Sequence, residues 1–348
     1  MNKTDIMRLV RANICSLEPY STARDEYQGS VGILMDANES PFGDGLNRYP
    51  STGLRGRLIG TLSEIKGVAP GQLFLGNGSD ECIDLCYRVF CRPGIDNAVM
   101  ISPSYGMYKV CADVNDIEAR QVMLGKDFSL PVADILAASD AESRLLFICS
   151  PNNPTANSFP ESGILTLLDK FPGMVVLDEA YADFSVRGSL KSLLEEYPNL
   201  IILQTISKAW GMAGLRIGLA LADPQVVSIF NKVRYPYNIG TDTLSLALKL
   251  LPEARMESKV KEILKERERV REALSEFTCL KEVLPSDANF FLVRTEKPRA
   301  LYDFLLGRGI IVRDRSSNPI CGPALRITVG TAEENDRLIK AISEYDTI

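Results

Sequence analysis

A lysine follows an apolar run in the stretch that leads to Arg216. Lys208 comes just after residues 200–205, which read as a buried strand, and Ser207 precedes it. Burial lowers the pKa of a lysine, and the neutral amine is the form that attacks an aldehyde. The Ser207 hydroxyl and the Arg216 guanidinium both suit a phosphate dianion. The stretch therefore suggests a lysine that binds a phosphorylated aldehyde cofactor, pyridoxal 5′-phosphate (PLP). The alternative is a surface lysine at a strand-to-helix corner.

Composition excludes several other chemistries. Histidine is absent from the 348 residues, which removes Ser-His-Asp and Cys-His hydrolases and histidine-metal sites. Cys82, Cys86 and Cys91 lack zinc spacing and partner ligands, so we interpret them as buried small hydrophobes rather than metal ligands. The net charge of −6 argues against a general nucleic-acid binder, and no apolar run is long enough for a membrane span. The N-terminus lacks the layout of a signal peptide, so we expect a cytoplasmic protein with no metal.

Seven short, mostly apolar runs alternate with helix-like stretches in the first two thirds of the chain. They are residues 72–76, 98–102, 119–124, 145–149, 174–178, 200–205 and 217–222. Continuous apolar strands are typical of a parallel sheet covered on both faces. The sequence therefore predicts an α/β fold with a mostly parallel seven-stranded sheet flanked by helices. The connection through Lys208 is short, so the strand after it is expected to run antiparallel.

A second, smaller α+β unit is predicted after a long charged helix at residues 254–277. Its strands are expected at 289–294, 310–313 and 325–329, with helices between and after them. The predicted organisation is an N-terminal helix and arm (1–30), a large PLP-binding domain (31–250) and a small C-terminal domain (251–348).

Ligands of a parallel α/β sheet bind at the carboxyl ends of its strands, and in this sequence those ends are followed by side chains that could bind PLP. Gly78, Ser79 and Asp80 follow the first strand and open a helix whose N–H groups can face a phosphate. A plain helix cap is the alternative. Tyr105 follows the second strand and can stack on a flat heteroaromatic ring, although an aromatic residue there is more often core.

The next two strand ends offer partners for the ring itself. Asn153 stands in a turn between two prolines and can donate to a phenolate oxygen, which Tyr181 can share. Asp178 ends a buried strand, where an isolated carboxylate needs a partner such as a protonated pyridine nitrogen. A magnesium ligand is the alternative for Asp178, but no phosphate-binding loop of the Gly-x-x-x-x-Gly-Lys type accompanies it.

Together these motifs resemble the fold-type I PLP-dependent aminotransferases over nearly the whole chain. The resemblance rests on residues 153–155, on 178–181, and on Ser207 and Lys208 with Arg216. The subfamily that acts on histidinol phosphate matches further at residues 17–20, 23–26, 38–43, 48–50, 76–81, 309–313 and 325–330.

The resemblance implies a role for each site residue. Lys208 would hold the cofactor and transfer the proton, and Asp178 would pair with the pyridine nitrogen. Asn153 and Tyr181 would bind the phenolate oxygen, and Tyr105 would stack on the ring. The groups implied for the cofactor phosphate are Gly78, Ser79, Asp80, Ser207, Arg216 and, from the second subunit of a homodimer, Tyr49. Tyr20, Asn38, Arg313 and Arg326 would bind the substrate, because guanidinium groups fit phosphate and carboxylate alike.

The implied reaction transfers an amino group from L-histidinol phosphate to 2-oxoglutarate, which yields L-glutamate, in histidine biosynthesis. An aromatic amino acid aminotransferase and a PLP-dependent decarboxylase of a phosphorylated amino acid are the alternatives within the fold. A cofactor-binding regulator is an alternative from another class, but the acidic chain has no spare DNA-binding segment. One departure from the family pattern is Ala156, where a glycine is usual.

Overall fold

The computed structural model describes residues 5–22, 33–43 and 46–347. A seven-stranded sheet forms its centre, with the order β1-β7-β6-β5-β4-β2-β3. The strands are β1 (Leu73–Asn77), β2 (Asn97–Ser102), β3 (Glu118–Met123), β4 (Ser143–Cys149), β5 (Met174–Asp178), β6 (Leu200–Thr205) and β7 (Ile217–Ala222). All seven predicted strands are present, and the predicted fold class is confirmed.

Strand direction follows from the connections. Strands β2 to β6 run parallel, whereas β7 pairs antiparallel with both β6 and β1. Only eleven residues join β6 to β7, too few for a crossover helix. The expected antiparallel strand after Lys208 is therefore confirmed.

Helices cover both faces of this sheet. In β2, Ala98 and Met100 belong to one buried cluster and Val99 and Ile101 to another, because successive side chains point to opposite faces. The helices are α1 (Ile6–Leu9), α2 (Ala12–Cys15), α3 (Thr52–Lys66), α4 (Gly78–Phe90), α5 (Met107–Val114), α6 (Val132–Ala137), α7 (Glu161–Lys170), α8 (Pro224–Val233), α9 (Thr241–Leu250), α10 (Met256–Ser275), α11 (Pro298–Gly307) and α12 (Ala332–Asp346).

Local sequence sets several helix ends. The Ser51 hydroxyl accepts a hydrogen bond from the N–H of Leu54 at 3.1 Å at the start of α3. Gly67 ends the same helix in the left-handed region, at φ 61°. Thr331 and Glu334 form a reciprocal capping box before α12.

A four-stranded antiparallel sheet forms the second unit, in the order β10-β11-β9-β8. Its strands are β8 (Leu280–Val283), β9 (Phe290–Thr295), β10 (Arg313–Asp314) and β11 (Ala324–Thr328). The prediction missed β8, whose lysine and glutamate face solvent and hide the apolar pattern. It also placed β10 too early, because residues 310–312 are apolar but unpaired. The predicted long helix is observed as α10.

The division into domains stays a prediction. One buried cluster runs from Leu75 and Leu177 in the large sheet to Phe290 and Leu292 in the small one, so the two units share core packing. Residues 1–4 and 23–30 of the predicted N-terminal helix and arm lie outside the described residues. No helix in the described ranges is long and apolar enough to cross a membrane.

Candidate active site

Asp178 is the last residue of β5, and its carboxylate is fully enclosed. Oδ2 accepts a hydrogen bond from the hydroxyl of Tyr108 at 2.7 Å, and Oδ1 accepts one from the N–H of Ala180 at 3.0 Å. Burial raises the pKa of Asp178, although both hydrogen bonds act in the opposite direction. A buried acid held in this way would gain from a cationic partner in the adjoining pocket.

The turn after β4 places Asn153 between two other groups. Its Oδ1 accepts a hydrogen bond from Nη1 of Arg326 at 2.6 Å, and its Nδ2 faces the Tyr181 hydroxyl at 3.5 Å. Because Arg326 occupies the oxygen of the amide, the nitrogen must point toward Tyr181. The amide is therefore fixed as a donor on the pocket side.

Two neighbours hold that turn in shape. The amide of Asn152 donates to the carbonyl of Pro103 at 2.9 Å and to the Thr155 hydroxyl at 2.8 Å. Ala156 adopts φ 64°, in the left-handed region that glycine occupies at least cost. Its methyl group packs in the buried core. An alanine therefore adopts a conformation that favours glycine at the position where the sequence departs from the family pattern.

Lys208 lies in the loop between β6 and β7. The N–H of Met212 donates to the carbonyl of Ile206 at 3.1 Å, and that of Gly211 to Lys208 at 3.0 Å, so this loop is folded back on itself. Nζ of Lys208 lies 5.8 Å from the ring centre of Tyr181. The pocket contains both the amine and the phenol.

The surroundings of Lys208 differ from the expectation of a lysine with little water. The strand ends at Thr205, and the Lys208 side chain is exposed overall. Partial desolvation of the ammonium nevertheless lowers its pKa, and the nearby guanidinium of Arg326 lowers it further. Lys208 lines the same pocket as Tyr181 and Asp178.

A cup of backbone N–H groups forms where α4 begins. Gly78 has φ 76°, and a Cβ there would lie 2.6 Å from Nη2 of Arg216. A Cβ on Gly218 in β7 would lie 2.1 Å from the backbone nitrogen of Ser79. The two glycines therefore allow the helix N-terminus, the sheet and Arg216 to come close together, which is an arrangement suited to an anion.

Asp80 and Tyr105 close one side of this cup. The Tyr105 hydroxyl donates to Oδ1 of Asp80 at 3.0 Å, and Nη2 of Arg216 contacts Oδ2 at 3.3 Å. The Asp80 carboxylate thus holds the two side chains beside the first turn of α4. The Thr205 hydroxyl donates to that of Ser207 at 2.8 Å on the opposite side.

The structure brings most of the predicted site residues to one pocket. Those that line it are Ser79, Asp80, Tyr105, Asn153, Asp178, Tyr181, Ser207, Lys208 and Arg216. Gly78 lies directly behind Arg216. Arg326 contacts the pocket residue Asn153 by a hydrogen bond. Arg313 lies opposite Arg326 on the neighbouring strand of the small sheet.

Three predicted residues lie elsewhere in the chain. Tyr20, Asn38 and Tyr49 line a separate, open cavity of about 880 Å³, and Tyr49 stacks on Tyr237 with ring centres 4.5 Å apart. Within one chain these three residues therefore do not meet Lys208.

The predicted site residues did not include Thr205, Cys149 or Tyr108. Thr205 and Cys149 line the pocket, and both are the final residues of strands. They could have been predicted, because ligands bind at the carboxyl ends of parallel strands. Tyr108 lies in α5 without any local signal, and only its contact with Asp178 gives it a role.

Comparison with known proteins identifies the family. The family model for aminotransferase class I and II matches residues 35–342. The chain belongs to this family. The histidinol-phosphate aminotransferase of Parabacteroides distasonis is 48% identical over 339 residues, which are 97% of this chain and 98% of that protein.

Solved structures show the same fold. The histidinol-phosphate aminotransferase of Sinorhizobium meliloti in complex with pyridoxal-5′-phosphate is 25% identical, with a TM-score of 0.78 over 89% of this chain and 90% of that one. L-threonine-O-3-phosphate decarboxylase of Porphyromonas gingivalis is 21% identical, with a TM-score of 0.72 over 87% and 92%. The latter likeness concerns the fold alone.

The cofactor of this aminotransferase is PLP, as predicted, and the pocket residues fit it. A lysine amine, an enclosed carboxylate and an amide donor surround one pocket, with an anion cup at its edge. Gly78 fits this cup because its φ of 76° is strained for other residues and a Cβ there would displace the Arg216 guanidinium.

Proposed function

We propose that this aminotransferase transfers the amino group of L-histidinol phosphate to 2-oxoglutarate, giving imidazole acetol phosphate and L-glutamate in histidine biosynthesis. The observation that carries the proposal is the contact between Arg326 and Asn153, which places an anion-binding guanidinium beside the cofactor pocket. The relative that is 48% identical over nearly the whole chain bears the name of this activity.

The residues of the pocket divide into three groups around the cofactor. We assign Asp178 to the pyridine nitrogen, Asn153 and Tyr181 to the phenolate oxygen, and Tyr105 to the ring face. The cofactor phosphate would lie in the cup made by Gly78, Ser79, Asp80, Ser207 and Arg216. When bound, PLP supplies an aldehyde and an electron-withdrawing ring that stabilises negative charge on the substrate carbon.

Lys208 is the base that we assign to the proton transfer. The chain has no histidine, and the lowered pKa of Lys208 makes its neutral amine accessible nearer to neutral pH. Nζ lies beside Tyr181, on the pocket side that Asp178 and Asn153 also face. From there the amine would be placed to remove and return the proton of the substrate carbon.

The two substrates of the proposed reaction share an anionic end. Arg313 lies directly opposite Arg326 in the β10–β11 ladder, so the two guanidinium groups belong to one face. A guanidinium binds a phosphate or a carboxylate through parallel hydrogen bonds. One arginine pair can therefore accept the phosphate of the first donor and the distal carboxylate of glutamate.

We further propose a homodimer in which Tyr49, with Tyr20 and Asn38, completes the pocket of the partner subunit. Large apolar side chains of this region are exposed in the single chain, including Met35 (89%) and Phe42 (84%). Exposed apolar surface of this kind is typical of an interface. Because all eight cysteines are free, we place the enzyme in a reducing compartment, the cytoplasm.

The reaction is tested by mixing PLP-loaded enzyme with single amino donors and following the loss of cofactor absorbance. L-histidinol phosphate should react with a larger kcat/KM than L-phenylalanine, L-tyrosine or L-histidinol, and L-glutamate should also react. A preference for phenylalanine or tyrosine would favour the aromatic alternative. Release of CO2 from O-phospho-L-threonine without amino transfer would favour the decarboxylase.

A further inference from the structure

A third arginine lies next to the cross-strand pair Arg313 and Arg326, of which Arg326 contacts the pocket residue Asn153. Arg315 stands two residues after Arg313, and its backbone N–H donates to the carbonyl of Ala324 at 2.9 Å, which continues the β10–β11 ladder. Side chains two residues apart in a strand share a face. Arg313, Arg315 and Arg326 therefore lie on the same face, and the residue opposite Arg315 is the small Ala324.

Arg315 lies within electrostatic reach of the cofactor pocket. Burial lowers the pKa of its guanidinium, and the charges of Arg326 and Arg313 lower it further. Burial raises the pKa of Tyr181, and the charges of Arg326 and Arg315 oppose that rise. The charge of Arg315 therefore acts on the pKa of the Tyr181 phenol in the same direction as the charge of Arg326.

The three arginines have no carboxylate partner among the residues that the structure describes. Other arginines of the small unit are paired: Arg294 with Glu282 at 2.8 Å and Arg308 with Glu344 at 3.0 Å. The Nε of Arg315 is buried without a hydrogen-bond acceptor in the described part of the chain. Clustered cations with an unsatisfied donor are costly unless an anion neutralises them.

We propose that Arg315 is a specificity-determining residue that binds the phosphate end of the amino donor together with Arg313 and Arg326. The inference rests on the proposed function and deepens it. A phosphate monoester has three terminal oxygens and close to two negative charges near pH 7, whereas a carboxylate has two oxygens and one charge. A third guanidinium therefore favours the phosphorylated donor over donors with a neutral end.

The test compares two donors that differ only in the phosphate. PLP-loaded wild-type and Arg315→Gln enzymes are mixed with L-histidinol phosphate or with L-histidinol, and kcat/KM of the half-reaction is measured. We expect the substitution to lower kcat/KM for the phosphorylated donor about 10- to 100-fold, as for a lost hydrogen bond to a charged group. The value for L-histidinol should change less than about threefold, because its free hydroxyl lacks the anion. Equal losses for both donors, or no loss for either, would overturn the inference.

Two further variants control for charge and folding. Arg299→Gln removes a cation from the same unit at a side chain that is 74% exposed and paired with Asp303, and it should leave both donors unaffected. Arg315→Lys keeps the charge but not the planar fork, and should fall between wild type and Arg315→Gln. Cofactor absorbance and the thermal midpoint of each variant show whether it is folded.

Failure of the proposed function gives a different result. If wild-type enzyme does not prefer L-histidinol phosphate to L-histidinol, the proposed substrate is wrong. Inorganic phosphate then serves as the probe, as an inhibitor of the half-reaction with L-glutamate. An inhibition constant about tenfold larger in Arg315→Gln would support the anion role of Arg315, and an unchanged constant would contradict it.

Discussion

Nη1 of Arg326 donates a hydrogen bond to Oδ1 of Asn153 at 2.6 Å, across 173 positions of the chain. The guanidinium of Arg326 also lies 5.5 Å from the ring centre of Phe290, which fixes its direction. One side chain therefore belongs both to the proposed substrate site and to the orientation of the amide that faces the cofactor ring. We therefore expect a change at Arg326 to alter the orientation of the Asn153 amide as well as anion binding.

Removing Arg326 should impair both half-reactions. Arg326→Ala takes away an anion contact that histidinol phosphate and glutamate share, so we expect kcat/KM to fall about 10- to 100-fold for each. The absorbance of the bound cofactor should also shift, because the Asn153 amide is free to turn. Stopped-flow measurements with each donor test both effects. A loss confined to glutamate would contradict the shared site.

Lys208→Ala should abolish transamination while PLP still binds noncovalently. General acid–base catalysis alone contributes about 10²- to 10⁴-fold, so the loss should be at least of that order. Borohydride reduction of the wild-type enzyme should attach the cofactor to the peptide that contains Lys208, as seen by mass spectrometry. Lys109→Ala, at a lysine paired with Asp113 on the surface, is the control and should keep full activity. Labelling of another lysine would refute the assignment.

Asp178→Asn should make the cofactor-free protein more stable at neutral pH. The same substitution should make the PLP-loaded enzyme less active. Burial raises the pKa of Asp178 in the folded state above the ordinary value of 3.8. Such a group stabilises the fold below pH 3.8, and that contribution is lost as pH rises through the folded pKa. At neutral pH the ionised carboxylate is a net cost, which asparagine removes.

Urea unfolding of the cofactor-free proteins from pH 4 to pH 8 measures this difference. The free energy of unfolding of wild type minus that of Asp178→Asn should decrease as pH rises. The kcat/KM of the PLP-loaded variant should fall about 10- to 100-fold, because asparagine places no negative charge beside the pyridine nitrogen. A difference that is constant with pH would show that Asp178 does not titrate as described.

Tyr108→Phe tests the residue that orients Asp178. The substitution removes the hydroxyl that donates to Oδ2 and should reduce kcat about tenfold, with a shifted pH dependence of cofactor absorbance. Tyr87→Phe is a matched control, since Tyr87 also stacks near Phe147 and its hydroxyl donates only to the Tyr108 carbonyl at 2.8 Å. Both variants should lose about 1 kcal/mol of stability. Equal changes of cofactor absorbance in Tyr108→Phe and Tyr87→Phe would show that the Tyr108 hydroxyl contributes only to packing and stability.

Mixed subunits test the proposed contribution of Tyr49 to the partner's pocket. Lys208→Ala and Tyr49→Ala proteins should each be poorly active alone. After unfolding and refolding together, heterodimers contain one pocket with both residues intact, so activity should recover to about a quarter of wild type by statistical mixing. Activity no greater than the mean of the two parents would show that Tyr49 acts within its own chain.

The sequence predicted the strand ends well because each signal there is local. Asp178, Asn153 and Lys208 follow apolar runs, and the carboxyl ends of parallel strands must meet at one edge of the sheet. The antiparallel turn after Lys208 was predictable for the same reason, since eleven residues cannot cross the sheet. Strand β8 was not predictable, because its exposed lysine and glutamate give it the sequence pattern of a surface loop. Tyr108 was not predictable either, because a buried tyrosine in a helix has the pattern of an ordinary core residue.

What the amino-acid sequence by itself determined is the order of the chemical groups and the sheet that collects them. Only the tertiary structure decided which residues meet from distant parts of the chain. Tyr108 reaches Asp178, Arg326 reaches Asn153, and Arg315 joins the arginine pair, whereas Tyr49 stays outside the pocket of its own chain. These contacts depend on packing between helices and on strand register, and neither is set by short-range preferences.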